Sequence, residues 1–222
     1  MLIRTGALLL GAMLILSACE SSRDYPEKGD DEYDLEAMAL TEADLPEGFT
    51  KEEIPEPEFN NELWAEFFGV DDVEAKLAQL EAQSRIKSRV TSFQPAELGR
   101  IFRVTTFSTL YETEKAAEDS SRKFACGLPI DDKQELDPFA VPVIGQAANG
   151  FFVSNSSEGG LRLIDTTVCF QTGRVLHAVQ QTGLPGTEDI ALAVRLARRM
   201  EAHVNDAFDG KQTTEARTPE GG

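Results

Sequence analysis

The chain is poor in the residues from which most catalytic and metal sites are built. Two histidines, His177 and His203, and three cysteines, Cys19, Cys126 and Cys169, are spread through 222 residues. The sequence contains no H-E-x-x-H pair, C-x-x-C pair, G-x-S-x-G elbow or phosphate-binding glycine loop, so those metal, thiol and nucleophile templates are absent. Positive charge is scarce as well: 21 Lys and Arg stand against 39 Asp and Glu, a formal charge of −18. Phosphate-backbone binding rests on a basic surface, so nucleic acid is not an expected partner. Long apolar runs are missing too. The longest, Gly6 to Leu16, falls far short of the roughly 20 residues a helix needs to cross a bilayer.

That short run has a purpose. Arg4 precedes it, and the small residues Ser17 and Ala18 follow it before Cys19, which gives the three parts of an export signal over residues 1–18. Leu16, Ser17, Ala18 and Cys19 resemble a bacterial lipobox. The resemblance implies that the Cys19 thiol takes a diacylglyceryl group, that the leader is cut before it, and that the freed amine can be acylated. Several acyl chains, at about 0.8 kcal/mol per buried methylene, make such an anchor effectively permanent. The protein is then expected on the cell membrane or the outer membrane, facing away from the cytoplasm, and Glu20 leaves the choice between them open. An ordinary secretory leader with an incidental cysteine is the alternative.

Acidity concentrates just after the leader. From Glu20 to Asn60 there are fifteen acidic residues against Arg23, Lys28 and Lys51. The stretch ESSRDYPEKGDDEYDLEAM sets few apolar residues among many like charges, a composition that predicts a disordered tether over 19–38. Such a spacer spans about 24 Å on average and roughly 65 Å pulled straight. Asp30, Asp31, Glu32 and Asp34 could alternatively be read as calcium ligands, but the glycine and closing glutamate of a dedicated loop are missing. Residues 209–222 read as a frayed tail.

In ALTEADLPEGFT, Leu45, Pro46, Glu47 and Gly48 have type I turn chemistry and open the folded domain, placed at 39–208. The phrase resembles openings of exported lipoproteins of actinobacteria and related lineages, several with an α+β extracellular module similar to the sensor domain of a receptor kinase. Independently, helical stripes are predicted around Leu63, Trp64, Phe67 and Phe68, around Val73, Leu77 and Leu80, over Thr113 to Ala125, and over Glu188 to Phe208 with Thr187 as cap. The last has Ile190, Val194, Ala197, Met200, Val204 and Phe208 inward and Arg195, Arg198 and Arg199 outward. Strands are predicted at 86–94, 101–110, 148–155, 161–170 and 174–182. Hairpin-length links between strands imply one α+β domain, an antiparallel sheet of about five strands packed with helices.

Candidate chemistry is thin. A hairpin turn at Thr172 and Gly173 that pairs Phe170 with Val175 puts His177 opposite Val168, as a core or edge histidine; His203 falls on the outer side of the last helix. Asp165 beside His177 in a cleft would argue for catalysis. Cys126 and Cys169 have one possible internal pairing in an exported chain, the alternative being two separate buried thiols. Alternation puts Cys169 on the face away from Ile164 and Val168, so the helix before Cys126 has to cover that face if the two are joined. No catalytic residue, cofactor or metal is expected. The leading functional expectation is a non-catalytic binding or sensing module for a small molecule, lipid or protein, followed by an assembly accessory of an envelope complex and then by an enzyme.

Overall fold

The five runs that alternate in sequence become five adjoining strands of one antiparallel sheet. The structure is a computed structural model that describes residues 23–68, 72–97, 99–123, 125–130, 134–156 and 160–211. In chain order these form β1 (Phe49–Lys51), β2 (Glu58–Phe59), α1 (Asn61–Phe67), α2 (Val73–Ala82), β3 (Arg85–Pro95), β4 (Ile101–Tyr111), α3 (Glu114–Lys123), β5 (Leu136–Phe139), β6 (Ala147–Ser156), β7 (Arg162–Thr172), β8 (Val175–Gly183) and α4 (Ile190–Phe208). Single 3-10 turns occur at Asp30–Glu32, Glu42–Asp44 and Ala125–Gly127. Cys19 and the leader lie outside the described residues, as does the expected tail beyond Lys211.

The sheet order is β1-β3-β4-β8-β7-β6-β5, with β2 also paired to β3, so the described residues hold eight strands where about five were expected. The three additional strands lie toward the edges and carry weak signals. β1 has three residues and β2 has two, too short for alternation to register. β5 contains Pro138, which is tolerated because the strand is at an edge.

Each sheet face buries its own core. Val104, Val168, Phe170, Val175 and Val179 meet α4 on one face. Phe107, Phe151, Val153, Cys169 and Leu176 meet α1, α2 and α3 on the other. The last hairpin is shifted from its expected register: Thr172 pairs with Val175 and Phe170 with His177. Gly173, at φ +56°, and Arg174 make the turn. A shift of two residues preserves the face, so His177 remains on the α4 side.

Several helix details also change. Asp189 caps α4, its carboxylate accepting from the Leu192 amide at 2.8 Å, whereas the Thr187 hydroxyl donates to the Arg100 carbonyl at 2.9 Å. Leu192, Ala193 and Leu196 join Ala197, Met200, Val204 and Phe208 in the buried stripe, while Ile190 is 37% exposed. Arg195, Arg198 and Arg199 point outward as expected. In α1, Trp64 and Ala65 are buried but Phe67 turns out, 59% exposed. α3 stops at Lys123 rather than Ala125 because the chain turns left-handed there.

The largest correction concerns the acidic segment. Over 23–38 it is not a solvated spacer: Tyr25, Tyr33, Leu35 and Met38 are buried in the α4-side core together with Leu40 and Leu45. The folded body therefore starts at about Tyr25 rather than at residue 39. The composition of the segment as a whole hides this, because a few well-spaced large side chains each bring roughly 1.5–3 kcal/mol of burial while their acidic neighbours stay in water. Arg174 secures the strap, donating to the Tyr111 and Lys28 carbonyls at 2.9 and 3.1 Å and to Asp30 at 2.5 Å.

Candidate functional site

A cavity of about 290 Å³ opens on the side of the sheet opposite the strap. Asp72 caps α2 through the Ala75 amide, and the helix presents Lys76, Gln79 and Gln83 to one wall. Lys123 at the end of α3, Ala125 and Gly127 of the following turn, and Gln134 form the facing wall, with Trp64 and Leu80 contributing the apolar part. Among the described residues, Lys76 and Lys123 are the charged members of the lining. Lys76 Nζ donates to Gln79 Oε1 at 3.1 Å, and Lys123 Nζ lies 3.2 Å from Asp119. The arrangement offers ammonium and amide donors around an aromatic floor.

The wall containing Ala125 is conformationally costly. Ala125, Cys126 and Gly127 have φ of +47°, +63° and +70°, three consecutive left-handed residues. For a residue with a Cβ this conformation costs roughly 1–2 kcal/mol, and such outliers cluster at functional sites. Two contacts hold the turn. Cys126 and Cys169 form a disulfide-compatible pair with Cα atoms 6.4 Å apart. Gly127 packs so closely that a Cβ there would lie 2.3 Å from the Tyr111 hydroxyl. As alternation predicts, Cys169 lies away from Ile164 and Val168, and α3 is the helix that covers its face.

Arg85 stands behind the floor. Its guanidinium carbon is 4.3 Å from the Trp64 ring centre, Nη1 donates to Asn61 Oδ1 at 2.6 Å, and Nε has no hydrogen-bond partner. Desolvation by burial lowers its pKa to about 10. A second depression, of about 350 Å³, follows Lys51, Glu52, Ile54, Pro57 and Arg89 along the sheet edge. Glu52 pairs there with Arg103 and Arg89 with Glu36, and the depression lacks the strained wall and aromatic floor. The α2–α3 cavity is the better candidate on those grounds.

The residues singled out in the sequence go elsewhere. His177 is fully buried at the sheet centre, Nδ1 3.0 Å from Ser108 Oγ, Nε2 2.8 Å from Thr172 Oγ1, and its ring stacked on Phe170 at 4.9 Å. Desolvation lowers its pKa to about 3 and keeps it neutral. Asp165 lies on the opposite face and accepts hydrogen bonds from Thr182, at 2.6 Å, and from Asn155. The two do not share a cleft. His203 is half-buried rather than on an outer surface, with Nε2 3.0 Å from Asp44. Burial opposes ionisation of Asp44, but hydrogen bonds from His203 and Thr41 outweigh it and hold the carboxyl at about 2.

Of the four possible calcium ligands, three serve the strap itself. Asp30 binds Arg174, Glu32 accepts from the Gly29 amide and Asp34 from the Ala37 amide. Among the described residues no cluster of His, Cys, Asp or Glu is arranged to hold a metal. The lysines and glutamines of the cavity carried no signal in sequence, because polar residues on α2 read as an ordinary solvated face.

No family model matches the chain, and no curated protein matches it. Among solved structures, the chain is similar to the crystal structure of the extracellular domain of PknH from Mycobacterium tuberculosis, at 10% sequence identity and a TM-score of 0.48. That match covers 82% of this chain and 99% of the other.

Proposed function

We propose that this protein is a lipid-anchored, extracytoplasmic, non-catalytic binding module whose α2–α3 cavity captures a small molecule carrying an anionic group. The cavity lining carries the reading: in a chain of formal charge −18, the charged residues among its described lining, Lys76 and Lys123, are both cationic. Three glutamines beside them supply neutral donors and acceptors, and Trp64 supplies a face for an apolar or ring portion. The volume suits a ligand at the small end of the usual range. The burial of His177 and Asp165 on opposite faces supports a binding role over acid–base catalysis. Anchoring through Cys19 rests on the lipobox resemblance and on the export signal before it.

Calorimetric titration with citrate, glycerol 3-phosphate and inorganic phosphate, at low and at raised salt, tests the reading. At least one should bind, weaken with salt, and lose about tenfold or more in affinity in the Lys76→Ala/Lys123→Ala double variant. Absence of binding by all three, together with no co-purified small molecule in native mass spectrometry of the detergent-extracted protein, would refute it.

A further inference from the structure

The acidic strap leaves the folded body at a defined corner. Tyr25 packs its ring on Phe208 with centroids 5.0 Å apart and donates its hydroxyl to Asn205 at 3.0 Å. Its Cβ closes over the β7–β8 turn, 3.3 Å from where Gly173 would carry a Cβ. Arg23 pairs with Asp209 just beyond the end of α4. Residues 23–25 are thus tied to the C-terminal end of α4 and to the β7–β8 turn, at one end of the sheet.

Only four residues of advance separate Cys19 from Arg23 in the sequence. Whatever their conformation, they reach at most about 14 Å. A folded body of about 190 residues has a radius of gyration of about 16 Å and a diameter of about 40 Å. The link is therefore shorter than the radius of the body it holds, and free tumbling above the bilayer is geometrically unavailable. A spacer of the length that composition suggests would have permitted it.

We propose that the strap sets how the domain sits on its membrane: the corner formed by the end of α4 and the β7–β8 turn rests against the lipid surface, and the far end of the sheet points away. This rests on the lipid-anchor reading given above. The strap lies on the α4 face of the sheet and the cavity on the other, so docking of the strap does not cover the cavity. The chemistry required of the partner is that of a bilayer surface into which the acyl chains of Cys19 insert.

Fluorescence quenching on the full, membrane-extracted protein in phosphatidylcholine vesicles decides this. An azide-bearing residue placed at exposed Lys211, beside the strap, or at exposed Arg162, at the opposite end of β7, carries the dye; the quencher is attached to lipid headgroups. Quenching should be several-fold stronger at Lys211 than at Arg162. Inserting about twenty Gly and Ser residues after Glu20 should abolish the difference. Equal quenching at both positions, in protein whose mass shows acylated Cys19, overturns the orientation and leaves the anchor standing. A mass without acyl chains, with no vesicle association, overturns both.

Discussion

Tyr33 and Phe208 meet edge to face, their ring centroids 6.0 Å apart and their planes at 83°. The contact joins the acidic segment to the last turn of α4, with the Arg174 guanidinium over the Tyr33 ring, 5.5 Å from its centre. A segment that composition would treat as a spacer and the last inward residue of α4 close the same corner of the core.

Replacing Tyr33 with Ala removes a side chain that is 3% exposed. Loss of a large buried aromatic costs about 3–5 kcal/mol. Urea unfolding of the mature domain should show a fall of that size. A change within about 0.5 kcal/mol, typical of a surface substitution, would return the segment to the status of a solvated tether.

Cys126 and Cys169 are 43 residues apart in sequence. A bond between them closes a loop whose lost unfolded-state entropy is worth about 4 kcal/mol in the chain-entropy model. Peptide mapping without reduction should recover one linked species containing both residues, and the Cys126→Ser/Cys169→Ser protein should lose about that much stability. Two alkylatable thiols in the denatured, unreduced mature protein would dispose of the bond.

His177 makes stability depend on pH. Folded, it stays neutral down to about pH 3; unfolded, it takes its proton near its ordinary 6.5. Below pH 6.5 the unfolded chain therefore binds the extra proton, and the stability this site supports above that pH is lost at ~1.4 kcal/mol per pH unit as pH falls. Between pH 7 and pH 5, the difference in unfolding free energy between wild type and His177→Gln should narrow by about 2 kcal/mol. Parallel pH curves for the two proteins would show that the imidazole is not held neutral.

Gly127 combines a left-handed φ of +70° with the Tyr111 hydroxyl 2.3 Å from where a Cβ would fall. Gly127→Ala adds conformational cost and overpacking, together about 2–4 kcal/mol. Thermal or urea unfolding should register the loss, and affinity for whichever probe binds the cavity should fall with it, because this turn is one of its walls.

The central sheet was legible because alternation is strong where one strand face meets a core: Val168 and Phe170 on one side and Cys169 on the other declare their faces in the sequence itself. α4 was legible for the same reason, through the spacing of Ala197, Met200, Val204 and Phe208. The cavity was not. Lys76 and Gln79 are spaced as any solvated helix residues are, and nothing in a local pattern says that Lys123, Ala125 and Gln134 will stand opposite them.

The sequence by itself determined the α+β class, the faces of the central strands and the scarcity of catalytic templates, because each follows from local composition or from a period of two or 3.6 residues. Tertiary structure alone decided that the acidic segment is a strap and that His177 is sealed between Ser108 and Thr172. It also decided that two lysines share one cavity. Those outcomes depend on which distant surfaces meet, and a segment crowded with carboxylates does not announce that Tyr25, Tyr33, Leu35 and Met38 each find a matching place against α4 and the sheet.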